Sequence, residues 1–128
     1  MAGMFYDASS FNGDLSKWEV PQVTDMRFMF HGASSFNGDL SEWDISKVTS
    51  VSNMFNGASS FDRDLCAWND KFTPLWYMKM FRNSGCTFQG NPNASFKGPG
   101  ELADGPFCAS LCQVRVSALS DDLVMDGE

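Results

Sequence analysis

The stretch Met29-Phe-His-Gly-Ala-Ser-Ser-Phe-Asn-Gly-Asp-Leu-Ser-Glu-Trp43 decides the fold, because its frame occurs three times. Met4 to Trp18 reads Met-Phe-Tyr-Asp-Ala-Ser-Ser-Phe-Asn-Gly-Asp-Leu-Ser-Lys-Trp, and Met54 to Trp68 repeats it again. The step is 25 residues at every anchor: Phe5, Phe30 and Phe55; Phe11, Phe36 and Phe61; Leu15, Leu40 and Leu65; Trp18, Trp43 and Trp68. The positions between recur as well, Val20 with Ile45, Val23 with Val48, Thr24 with Thr49 and Met26 with Val51. A fourth unit, Asn69 to Phe81, keeps Trp76, Met80 and Phe81 but carries one extra residue and Pro74. A period of this size denotes one supersecondary unit that cannot bury its own apolar face and must stack on its neighbours.

Within one unit, Trp43-Asp-Ile-Ser-Lys alternates apolar and polar, which predicts a short strand. Thr49 then suits a helix N-cap, and Val51, Met54 and Phe55 fall at i, i+3 and i+4, one face of a short helix. Gly57 and Gly32 supply the left-handed position that stops it. Ala58 to Phe61 is a turn that brings Phe61 inward, and Asn37-Gly38-Asp39 is a second corner. Stacked coils place like residues above one another at the strand spacing, with ladders of Phe, Leu, Trp, Val and Met inside. The expectation is an α/β solenoid, right-handed by the default of parallel crossovers. It has about three to four coils, near 4–28, 29–53 and 54–80, within a repeat region over 1–88. Residues 89–128 then form a loop, a cysteine-bearing cap and a strand-like acidic tail.

The pattern Phe-Asn-Gly-Asp-Leu-Ser-x-Trp-Asp-Ile-Ser-x-Val-Thr-x-x-x-x-Met-Phe-x-Gly-Ala-Ser-Ser resembles the BspA-like, mycoplasma-type surface-protein repeat, a family grouped with leucine-rich repeats. The resemblance covers roughly Met4 to Phe88. The tail, with Gly-Pro-Phe-Cys108-Ala-Ser-Leu-Cys112, is similar to the cysteine-bearing cap that follows such repeats in algal members. It implies an extracellular, non-enzymatic scaffold of structural or adhesive role, with no catalytic residues to carry over.

Composition bounds the function. The chain has 128 residues, 9 Lys and Arg against 16 Asp and Glu, and a formal charge of −7. That disfavours nucleic-acid and anionic-membrane partners, which need a positive footprint. No apolar run is long enough to span a bilayer, and no secretory leader is visible at Met1-Ala-Gly-Met-Phe. The unit begins in mid-repeat, without a capping element before Met4. Either the sequence is a fragment, or subunits stack head to tail into a filament. The expected partners are therefore the chain itself or other surface proteins and glycans. A binding module that reads a glycan or protein through an exposed ladder is the alternative function. No cofactor is indicated.

Four cysteines, Cys66, Cys86, Cys108 and Cys112, in a short acidic chain favour disulfides and an oxidising compartment. A zinc site would want a CxxC pair, which is missing. The expected pairing staples Cys66 to Cys86 and closes Cys108 to Cys112. Asn93-Ala94-Ser95 is a glycosylation sequon in a loop. The Asp14, Asp39 and Asp64 ladder invites calcium, but an Asp after Asn-Gly more readily caps the local backbone. The Trp18, Trp43 and Trp68 ladder would stack sugars if exposed and is expected in the core. Met26, Met29, Met54 and Met80 are packing residues. His31 shares its slot with Tyr6 and Asn56 and is expected to face solvent. Ser9, Ser34 and Ser59 with their serine neighbours have no base at repeat spacing, so they read as turn hydroxyls or O-glycan carriers.

Overall fold

A computed structural model of the chain describes residues 1–71, 76–92 and 107–109. The 25-residue levels stack, but not as strands and helices. Among the described residues there is no α-helix, one 3-10 helix at Cys66–Lys71, and no strand beyond isolated bridges. The α/β expectation is therefore wrong at the level of secondary structure. The reason lies in where the amides go.

From Met26 to Ala33 the backbone N–H groups serve two purposes in alternation. Met26, Phe28, Phe30 and Gly32 donate to the carbonyls of Ser50, Ser52, Met54 and Asn56 in the following coil, at 3.0, 3.1, 2.8 and 2.9 Å. The intervening Met29, His31 and Ala33 donate three residues back, to Met26, Phe28 and Phe30, at 3.3, 3.2 and 3.0 Å. One level earlier, Gly3, Phe5 and Asp7 reach Arg27, Met29 and His31. One level later, Val51, Asn53, Phe55 and Gly57 reach Trp76, Met78, Met80 and Arg82. Every second amide thus joins two levels, and the others close turns. An α-helix would need both sets for i−4 bonds.

The turns carry a positive φ at their third position. Phe28 stands at 58° and Gly32 at 73°; Asn53 at 59° and Gly57 at 84°; Gly3 at 66° and Asp7 at 57°. This is the conformation that type II turns require and that glycine and asparagine accept most readily. At Gly57 a Cβ would also come within 3.3 Å of the Gly32 nitrogen, so the levels touch backbone to backbone there. Val51, Met54 and Phe55 do share the buried side, but as successive turn residues rather than a helix face. Thr49 is no helix cap: its amide and hydroxyl both donate to the Thr24 carbonyl, at 2.7 and 3.0 Å.

The strand predicted over Trp43 to Lys47 is also a pair of turns. Trp43 N–H donates to Leu40 O and Val48 N–H to Ile45 O, at 3.1 and 3.0 Å. Asp39 and Asp44 each accept, through Oδ1, the amide two residues on, from Ser41 and Ser46 at 2.9 and 3.0 Å. The alternation survives as burial only: Trp43 and Ile45 are buried, Asp44 and Ser46 exposed. Parallel pairing between levels is confined to one register, Asp25 with Ser50 and Ser50 with Trp76.

Two aromatic columns fill the interior. The rings of Phe5, Phe30, Phe55 and Phe81 follow one another at 5.4, 5.5 and 5.8 Å, within 9° of parallel. Phe11, Phe36 and Phe61 form the second column, at 5.8 and 5.9 Å. Within each level the two columns touch, at 4.4, 4.3 and 4.1 Å. Leu15, Leu40 and Leu65 are buried beside them, with Met26, Met29, Met54 and Met80. The Trp43 and Trp68 indoles donate to the carbonyls of Leu15 and Leu40 in the level before, both at 2.9 Å, so these buried N–H groups are satisfied. Trp18, in the first level, is 39% exposed.

Asparagine adds an outer ladder. Asn37 N–H donates to Asn12 Oδ1, Asp62 N–H to Asn37 Oδ1, and Thr87 N–H to Asp62 Oδ1, at 2.9, 2.9 and 3.3 Å. The residue expected to turn a corner through its φ instead offers its side chain as an acceptor between levels.

At the far edge, Cys86 pairs with Cys108, across 22 residues and a Cα separation of 4.6 Å. The Cys66–Cys86 pairing is thereby overturned, and with it a Cys108–Cys112 loop. Cys108 runs antiparallel past Asp64 and Phe88, which brings it to Cys86, while Cys66 opens the 3-10 helix at the corner. Cys66 is itself disulfide-bonded, and no described cysteine is free. Cys112, Asn93 and the strand-like acidic tail lie outside the described residues.

Candidate functional site: a groove across three levels

Among the described residues, the most exposed large apolar side chains are Trp76 at 62%, Met78 at 57%, Met4 at 53% and Tyr6 at 50%, followed by Trp18 and Phe28. Two of them flank one groove. It has a volume of about 620 Å³ and runs along the column past Thr24, Asp25, Arg27 and Phe28, then Thr49, Ser52 and Asn53, to Trp76. A second cleft of about 520 Å³ continues it past Phe28 and Arg27 to Gly3 and Tyr6. The stacking that sets the core ladders also sets this outer face: two successive levels contribute the same four positions to it, and the next adds Trp76.

The charged part of the wall is self-compensating. Arg27 grips Asp25 with Nε at 3.0 and 3.1 Å from the two carboxylate oxygens and Nη2 at 2.8 Å from Oδ2. The Arg27 amide adds a bond to Oδ1 at 3.0 Å. These bonds hold the Asp25 carboxyl below the ordinary carboxylate range and raise the Arg27 guanidinium further, so both stay charged and paired. The remaining lining is neutral. Thr49 gives its proton to Thr24 O, and Asn53 Oδ1 is taken by Asn56 Nδ2 at 2.9 Å. Among the described residues, the Thr24 and Ser52 hydroxyls and the Asn53 NH2 make no side-chain hydrogen bond.

The residues singled out from sequence fall elsewhere. Trp43 and Trp68 are in the core, so this ladder offers no sugar-stacking face. Asp14, Asp39 and Asp64 cap local amides, of Ser16, Ser41 and Cys66, each at 2.9 Å. Hydrogen bonds from Ser16 and Ser41 draw the Asp14 and Asp39 carboxyls below their ordinary range. No group of three metal-ligating side chains occurs among the described residues. Ser34 and Ser59 hydroxyls lie 3.4 and 3.5 Å from the carbonyls of Ser9 and Ser34, at the outer corner. His31 is not simply solvent-facing: its ring stacks on Tyr6 at 4.8 Å and tilts against Phe28 at 5.7 Å. Its Nδ1 is buried without a hydrogen-bond partner, 4.0 Å from Asp7 Oδ1.

Phe28 and Trp76 as a pair escaped the sequence reading, which counted Trp76 as a kept anchor of the fourth unit although its register partners are Ser50 and Asp25. Phe28 fills a slot held by Gly3, Asn53 and Lys79 in the other levels, and Trp76 one held by Asp25 and Ser50. A large aromatic where the register has small or polar residues is a departure from the ladder rather than part of it.

No helix among the described residues is long and apolar enough to cross a membrane. No curated protein and no solved structure matches the chain. A family model described as "Mycoplasma protein of unknown function, DUF285" matches residues 1–94, and the chain belongs to that family.

Proposed function

We propose that this chain is a non-enzymatic extracellular repeat protein with a structural or adhesive role, in keeping with the BspA-like surface repeats it resembles. The observation that carries this reading is the alternating amide pattern, which holds successive levels at fixed register and presents one outer face in regular steps. A column of this kind displays side chains rather than closing them into a reaction chamber. The Cys86–Cys108 bond and the bonded Cys66 suit an oxidising compartment.

Lateral adhesion through the groove is favoured over a head-to-tail filament. Direct edge-to-edge stacking would need free backbone groups at the far edge, and among the described residues part of that edge is already engaged. Lys79 N–H donates to Asn91 Oδ1 at 2.9 Å, and Leu65 N–H to Phe107 O at 3.4 Å. Phe107 and Cys108 are fully buried there.

Antibody labelling of intact source cells, before and after permeabilisation, tests the location. Staining of intact cells is expected, and a signal seen only after permeabilisation overturns the proposal. Sedimentation of the purified chain addresses the filament: a single small species is expected, and large polymers at micromolar concentration would reinstate end-to-end stacking.

A further inference from the structure

The groove breaks the repeat at two places, and both breaks cost the fold something. Phe28 stands at φ 58°, in the left-handed region that a bulky L residue rarely adopts. The residue is 37% exposed and lies outside the core, its ring tilted against Tyr6 and His31 at 6.2 and 5.7 Å. Trp76 leaves its ring 62% exposed in a register otherwise occupied by Asp25 and Ser50. Gly3, Asn53 and Lys79 carry the same positive φ in the other levels, and only at Phe28 does an aromatic ring fill that slot, at the edge of the cleft.

We propose that this groove binds a neutral carbohydrate, an inference that rests on the adhesive reading for its setting and on the groove alone for its chemistry. Sugars present hydroxyls at their rim and an apolar C–H face, which suits aromatic rings flanking hydroxyl and amide groups. The wall supplies both: Phe28 and Trp76 on one hand, Thr24, Thr49, Ser52 and Asn53 on the other. Asp25 and Arg27 neutralise each other through their fork, so the lining selects against a strongly charged ligand. An extended peptide is disfavoured because the middle level has no free backbone edge: Ser50 already pairs with Asp25 on one side and Trp76 on the other. The volume of about 620 Å³ lies within the range of ligand clefts. Its continuation past Arg27 and Phe28 to Tyr6 gives room for more than one sugar unit.

Affinity electrophoresis of the full purified chain in gels containing a neutral β-glucan, mannan, xylan or galactan tests the proposal. At least one polysaccharide should retard it, and Trp76→Ala should weaken that retardation by about tenfold or more. Phe28→Gly should weaken it similarly while the melting temperature holds or rises, because glycine takes this φ without strain. That combination separates a lost site from a lost fold. Trp18→Ala, an exposed tryptophan outside the groove, should bind as the unaltered chain does. No retardation in any gel, retardation of both groove variants as strong as that of the unaltered chain, equal loss in Trp18→Ala, or preference for a proline-rich peptide each overturns the proposal. Surface staining of cells is read separately, so the adhesive reading can stand when the sugar fails.

Discussion

The first and second levels carry nearly the same fifteen-residue frame, yet they are not equivalent in the folded chain. Phe30 and Phe36 are fully buried, while Phe5 and Phe11 are half-buried; Trp43 is 1% exposed and Trp18 39%. Trp43 finds its acceptor in Leu15 of the level before it. Trp18 packs only partly, 6.1 Å from Phe5. Core membership is therefore a property of having a neighbour on each side, not of the residue. The same side chain changes its energetic weight with its place in the stack.

Four measurements break or sharpen that contrast. Truncating a sandwiched ring should cost most: Phe30→Ala is expected to destabilise by about 3–5 kcal/mol, against roughly half for Phe5→Ala. Chemical denaturation of the two variants checks this, and equal losses would dissolve the distinction between levels. At the opposite edge, the Cys86→Ser, Cys108→Ser double variant should lose about 3 kcal/mol, the chain-entropy estimate for a loop of this length. Its denaturation midpoint should fall well below that of the oxidised protein. Trp43→Phe removes the indole bond to Leu15 O, which still accepts the Trp18 amide, and should cost about 1 kcal/mol, whereas Trp18→Phe should be nearly silent. Thermal melts of the pair provide the comparison.

The smallest effect is on pH. Asp14, Asp25 and Asp39 have lowered carboxyl pKa values in the folded chain because Ser16, Arg27 and Ser41 donate to them. Their contribution is present above the ordinary value of 3.8 and is lost as pH falls through the lower folded values. The melting temperature should therefore decline on acidification below about pH 4, and less steeply in Asp14→Asn, where the titrating group is gone.

The period, the stacking partners and the buried ladders could all be read in the sequence, because identity at a fixed step is a long-range signal that survives ignorance of local geometry. Local geometry itself misled. Val51, Met54 and Phe55 fit a helix face, and in this chain they fit a tandem of turns equally well, since both place those residues on one side. The discriminating sign was the four-residue pairing of Gly3 with Asp7 and Asn53 with Gly57, residue types that accept positive φ. A helix this short is also costly to nucleate, and amides shared with a neighbouring level compete with it. Likewise Trp43 to Lys47 alternates because its turns do, not because it pairs as a strand. The groove went unread for the opposite reason. Attention to what recurs passes over Phe28 and takes Trp76 for a kept anchor, and both matter by failing to recur.

The alternating amides also give the molecule a direction of failure. The Met26, Phe28, Phe30 and Gly32 bonds of a storey last only while the next one is in place, and one extremity is fastened covalently by Cys86 and Cys108. The latched extremity is therefore the last part to exchange its hydrogens with solvent, and protection falls off with distance from it like an opening zip.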